Sequence, residues 1–287
     1  MDIRALVLGL SFVLMWSSAF TSARIAVAYA SPLLLLSVRF LISGLLAMAI
    51  AKLLGQRISL SRRQWGAVVA FGLLQNGVYL GVNFVAMQWI EAGLAAIIAS
   101  MLPLLVALLS WMFFKERLPA IGILGLFAGL IGVFIIMSSR LSNGADLTGV
   151  LLAFLGVGAL SLATLLVRGA TSSGNVLMVV GLQMLVASAA LFPVSLTFET
   201  WHVIWSWQLI GAFTYTTLVP GVLATLVWFT LVQRIGAIRA ASYHFLNPFL
   251  GVAIAALVVG ETLSLQDVAG VLVISLGIVA VQYSKSN

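Results

Sequence analysis

Residues 91–118 read EAGLAAIIASMLPLLVALLSWMFFKERL, and residues 236–263 read GAIRAASYHFLNPFLGVAIAALVVGETL. Aligned without a gap at an offset of 145 positions, Ala92, Ala95, Ala96, Pro103, Leu105, Glu116 and Leu118 return as Ala237, Ala240, Ala241, Pro248, Leu250, Glu261 and Leu263. Gly125 and Gly132 return as Gly270 and Gly277, and the register runs backwards through Gln88 and Gln233 to Gly66 and Gly211. One residue less of offset sets Ser17 on Ser161, Arg24 on Arg168 and Arg39 on Gln183. The chain therefore divides into two related halves, residues 1–143 and 144–287. Each centres on an apolar helix with a proline near mid-depth and a glutamate at its exit, and two copies of one unit must fold alike.

The medium for that fold follows from charge. Only 7% of the residues are charged and 63% are hydrophobic, whereas a soluble domain carries about 25% charged residues. Too few ionic groups remain to clothe a surface in water, so the expectation is an all-α integral membrane protein. A spanning helix needs roughly 20 apolar residues. That ruler gives ten spans: 5–28, 32–54, 65–89, 92–114, 119–138, 148–168, 175–197, 208–233, 237–260 and 266–284. Ten divides as five per half. An odd number forces the second copy to enter the bilayer from the opposite face, so the repeat is expected to be inverted.

Orientation comes from the basic residues, which gather in short cytoplasmic loops. Arg4, Lys52, Arg57, Arg62, Arg63, Lys115, Arg117, Arg168, Arg234, Arg239 and Lys285 share one side if the N-terminus is inside, leaving Arg140 alone on the other. Glu91, Asp146, Glu199, Glu261 and Asp267 fall on that other side, as do Trp201, Trp205 and Trp207. Both termini are then cytoplasmic, and the first apolar run reads as a retained helix, not a cleaved signal. The net charge of +7 is accounted for by these loops and needs no nucleic-acid partner.

The segment WSSAFTSARIAVAYASPLLLLSVRF, the pairing of Leu102–Pro103 with Lys115–Leu118, and its echo in Asn247–Pro248 and Gly260–Leu263 resemble the drug/metabolite transporter superfamily in its EamA type. The resemblance covers nearly the whole chain. It implies ten helices in two inverted repeats and a carrier that exports metabolites, with bacterial exporters of aromatic and other amino acids among its members.

Polar side chains inside a span are candidates for function because hydrocarbon gives them no partner. Asn76, Tyr79 and Asn83, spaced i, i+3, i+7, place two amides and a phenol on one stripe of the third span. Such a stripe lines a cavity or glues helices together. Arg39, roughly 10 Å below the outer end of the second span at 1.5 Å per residue, either pairs with a substrate carboxylate or snorkels to the interface. Tyr243, His244 and Asn247 precede Pro248, which frees the His244 carbonyl; His244 is a proton relay or a satisfied bundle histidine. Trp16, Met101, Tyr215 and Trp228 offer surfaces for an aromatic or apolar substrate, or simply pack. Pro103 and Pro248 read as kinks or hinges.

Several classes are excluded. The absence of cysteine removes thiolate chemistry and Cys-based metal sites, His202 and His244 are too far apart in depth to pair on a metal, and no cofactor is implied. No HExxH, GxSxG or phosphate-binding GxxxxGK[ST] occurs, so an enzyme is not expected; Ser100 and His244 are the obvious pair for a membrane enzyme to use. No acidic residue falls mid-span, which argues against charge recognition of organic cations. The expected function is a secondary transporter exporting small metabolites by alternating access, amino acids foremost, acting as a monomer in the cell inner membrane. A drug-like or sugar-type substrate on the same scaffold is the rival reading.

Overall fold

In a computed structural model of the protein, the described residues are 3–115, 119–142, 144–166, 175–235, 243 and 246–286. They form helices and no strand; Tyr29–Ser31 and His202–Ile204 meet only in an isolated bridge. In hydrocarbon every backbone group must be satisfied within its own segment, which leaves an apolar run little choice but a helix. The first half contains α1 (Ile3–Val27), α2 (Pro32–Leu53), α3 (Arg62–Phe71), a π-helical segment π1 (Gly72–Tyr79), α4 (Leu80–Ala86), α5 (Ala92–Ala99), α6 (Leu102–Phe114) and α7 (Ala120–Ser142). The second contains α8 (Leu147–Leu166), α9 (Val176–Phe198), α10 (Trp207–Thr216), a second π segment π2 (Thr217–Leu223), α11 (Ala224–Ile235), α12 (Asn247–Val259) and α13 (Leu265–Ser286).

Eight stretches among the described residues are long and apolar enough to cross a membrane, and Asn247–Val259 and Leu265–Val281 are shorter apolar helices. The 92–114 span is broken at Ser100–Met101, where α5 ends and α6 begins. Pro103 and Pro248 sit in the first turns of α6 and α12. A proline there loses no intrahelical bond, because the first-turn N–H has no partner to lose. Each proline therefore stands in the first turn of a helix, and in the first copy the break lies just ahead of it.

The two halves interlock. The most extensive helix pairs all join one half to the other: α7 with α13, α2 with α9, and α1 with α12. On α7, Leu124, Phe127, Ile131 and Phe134 form an outward stripe 56–73% exposed, a surface suited to lipid. The opposite stripe is glycine. A methyl on Gly125 would stand 2.7 Å from the Gly277 carbonyl, and one on Gly132 would stand 2.7 Å from the Gly270 carbonyl. Since Gly125 and Gly132 are the copies of Gly270 and Gly277, equivalent positions exchange partners, as a twofold relation between the halves requires. The α2–α9 crossing repeats the pattern: Gly44 lies against the Gly181 carbonyl, and Ser188 Oγ donates to the Ser37 carbonyl at 2.8 Å. Small residues let backbones approach this closely, and in lipid such contact is what holds helices together.

The motif echo also has a local cause. Lys115 (φ 51°) and Gly260 (φ 74°) are equivalent positions, and both close their helices in the left-handed region. Glycine adopts it freely and lysine at a cost.

Five helices begin on the acidic face: α2, α5, α8, α10 and α13. Their N-termini carry unpaired amides and positive dipole ends, and each is met by an oxygen of the chain itself. Glu199 accepts from Leu33 N and Leu34 N at 2.8 and 3.0 Å. Glu261 accepts from Ala92 N and Gly93 N at 2.7 and 2.8 Å. Burial pushes the Glu261 carboxyl above the ordinary glutamate range, against the pull of those two amides. Asp146 accepts from Thr148 N and Gly149 N, and the Gly149 amide foremost holds its carboxyl below the ordinary range. Ser206 accepts from Leu209 N, and Ser264 and Asp267 cap each other's amides.

Arg140, the lone basic residue on this face among the described residues, is charge-neutralised there. It binds Asp267 through Nε and Nη2 at 3.0 and 2.8 Å, and its Nη1 pairs with Glu91.

Candidate functional site

Between the halves lies a cavity of about 80 Å³, walled by α1, α2, π1, α4, α9, π2 and α11. Both π segments face it. They occupy equivalent places in the repeat, since 145 positions separate Gly72 from Thr217. Gln75 and Asn76 line one side; their copies, Pro220 and Gly221, line the other. A π turn interrupts the α ladder and is common at functional sites.

The polar stripe of the third span reaches this cavity, because Asn76, Tyr79 and Asn83 all line it. Asn83 Nδ2 donates to the Tyr79 carbonyl at 2.8 Å, which fixes the amide, while among the described residues the side chains of Asn76 and Tyr79 have no hydrogen-bond partner. Gly156 makes room for the arrangement. A Cβ there would stand 2.3 Å from Asn83 Nδ2 and 3.2 Å from the Tyr79 carbonyl. Gly156→Ala is expected to cost about 1–3 kcal/mol by overpacking and to displace the Asn83 amide. An unchanged thermal midpoint in detergent would show that the contact tolerates a methyl.

Arg39 also lines the cavity, at 5% exposure. Its Nε is buried without a hydrogen-bond partner. The guanidinium carbon lies 5.4 Å from the Phe40 ring centroid and 5.8 Å from that of Phe84, so the charge rests on aromatic faces. It does not snorkel. Trp16 and Phe20 complete an apolar wall.

The other candidates lie elsewhere. Met101 is buried in the core at the break between α5 and α6. Tyr215 is 38% exposed, with its hydroxyl 2.7 Å from Ser18 Oγ. Trp228 stacks on Phe12 at 4.8 Å. Tyr243 covers Gly9 and donates to the Ala5 carbonyl at 3.3 Å. Asn247 is buried and accepts from Ser17 Oγ at 3.3 Å. His244 lies outside the described residues, as does Glu116. Sequence reasoning passed over Phe40, Phe84, Met184, Pro220 and Gly221 as cavity walls. The repeat register held a signal for the last two, as copies of Gln75 and Asn76.

A largely apolar cavity with a few polar groups, lying between two interlocked halves of an apolar helical bundle, is the arrangement of a membrane transport protein. The chain belongs to the EamA-like transporter family, whose model matches it twice, over residues 3–138 and 147–283. It is 28% identical over 263 residues to the uncharacterized transporter YvbV of Bacillus subtilis, covering 91% of this chain and 86% of that one. It is also 28% identical over 276 residues to the uncharacterized inner membrane transporter YedA of Escherichia coli K12, covering 95% and 88%. An Archaeoglobus fulgidus transporter is 26% identical over 266 residues, covering 93% and 94%. One solved crystal structure matches with a TM-score of 0.70 at 20% identity over 98% of each chain, a likeness of fold.

Proposed function

We propose that this EamA-family transporter is a secondary carrier that exports small carboxylate-bearing metabolites, the class to which neutral and aromatic amino acids belong, by alternating access. Ten helices in two inverted repeats, divided at 143/144, cross the inner membrane with both termini cytoplasmic. Support for the inversion is the exchange of partners between Gly125–Gly277 and Gly132–Gly270; support for the orientation is the basic loops on one face. The unit acts as a monomer in the bilayer and uses no cofactor. The observation that carries the substrate reading is the buried, unpaired Arg39 beside the free polar groups of Asn76 and Tyr79. A sugar or a cationic drug would leave that guanidinium without its partner.

The test is counterflow in proteoliposomes of the purified protein, with a labelled panel of aromatic and aliphatic amino acids, their deaminated acids and neutral sugars. Saturable movement of carboxylate-bearing compounds is expected. Asn76→Ala and Tyr79→Phe each remove one hydrogen bond worth about 0.5–1.5 kcal/mol, so apparent affinity should fall roughly two- to tenfold with normal insertion. Movement of sugars alone would overturn the reading.

A further inference from the structure

The charge balance of the cavity defines its ligand more closely than its shape does. Resting on the transporter reading above, we infer that the site is selective for net negative charge: its preferred ligand is a monoanion, one carboxylate on an apolar or aromatic body with no ammonium beside it. Arg39 is the residue that determines this specificity.

Arg39 is the charged group of the cavity lining, which otherwise consists of amides, a phenol, a hydroxyl and apolar side chains. Among the described residues no carboxylate lines it. The acidic residues of the described chain, Glu91, Asp146, Glu199, Glu261 and Asp267, are occupied at helix starts or with Arg140 on one face of the bundle. A guanidinium buried with an unpartnered Nε is costly until an anion arrives, and a carboxylate answers its fork with two parallel hydrogen bonds. Phe40 and Phe84 compensate the charge in part through their ring faces, but they cannot satisfy Nε–H.

An α-amino acid would bring its ammonium to within a few ångströms of the same guanidinium. That cation would find only neutral acceptors and no carboxylate in the lining. Like charges in a poorly solvated site disfavour each other strongly. A carboxylate without the ammonium escapes that repulsion. The space agrees: at about 10–15 Å³ per water on this measure, the 80 Å³ cavity has room for a carboxylate head with the body of the ligand against Trp16 and Phe20.

Three compounds of one skeleton isolate the charge: 3-phenylpropionate, phenylalanine and 2-phenylethylamine. Binding to the purified full chain by calorimetry, and counterflow in proteoliposomes, should rank the monoanion at least tenfold above the zwitterion, with the amine unbound. Arg39→Gln should erase that ratio, and Arg39→Lys should keep the preference for the acid at reduced affinity. Thermal midpoints of both variants show whether they are folded. If Arg39→Gln does not fold, the lysine variant and the parent ranking still decide. Phenylalanine equal to or better than 3-phenylpropionate would overturn this inference and leave the transporter reading standing. A ratio unchanged in folded Arg39→Gln would likewise overturn it. No movement of any compound across the bilayer would overturn both.

Discussion

Arg140→Ala is expected to destabilise the protein by about 3–5 kcal/mol, the cost of stranding a buried charge. The Asp267 side chain is 1% exposed and receives both Nε and Nη2 of Arg140. Without the guanidinium its carboxylate keeps only the Ser264 amide. The second partner, Glu91, is 42% exposed, and a pair with so wet a member contributes about 1 kcal/mol or less. The two acids are thus unequal although both touch the same arginine. Thermal unfolding in detergent should show a fall on the order of 10 °C for Arg140→Ala and only a small fall for Glu91→Ala. Equal shifts for the two variants would refute the assignment. Asp267→Asn removes the charge while keeping an acceptor, and should fall between them.

Gly277→Ala is expected to cost about 3 kcal/mol, the upper part of the usual overpacking range, because the methyl has nowhere to go. It would stand 2.6 Å from the Gly125 carbonyl, 2.8 Å from Gly129 N and 3.1 Å from Gly129 Cα. All three are backbone, so the helices α7 and α13 must part. Gly129→Ala meets instead the tip of the Leu104 side chain at 2.2 Å, which can rotate, and should cost less. Gly158 has nothing within 4 Å of its missing Cβ, and alanine there should stabilise by about 0.5–1 kcal/mol through the unfolded chain. The two alanines should move the midpoint in opposite directions. A shared sign would show that helix propensity, not the seam, governs these positions.

The repeat and the membrane setting were open to reading because both rest on side-chain identity: a register of glycines, and a charge content too low for water. The Asn76–Tyr79–Asn83 stripe was also legible as a polar face. The π segments were not. Widening a turn leaves no residue pattern in Gly72–Tyr79, and only Pro220 hints at it in Thr217–Leu223. Arg39 had two meanings in the sequence, since depth along a helix does not say which way the side chain points; its aromatic neighbours and buried Nε place it inside the bundle, away from the interface. Pro103 and Pro248 read as kinks or hinges because the apolar runs continue through them, and in the first copy the break falls at Ser100–Met101, just ahead of its proline. Glu199 and Glu261 counted only as loop charges, since nothing local announces a carboxylate that caps a helix of the other half.

That capping has a consequence for whatever crosses the acidic face. A free helix N-terminus is a ready site for an anion, and this face gathers five of them. Each is already filled by Glu199, Glu261, Asp146, Ser206 or the Ser264–Asp267 pair. A carboxylate departing in that direction finds no vacant dipole end to detain it, and the surface it leaves by carries charge of its own sign.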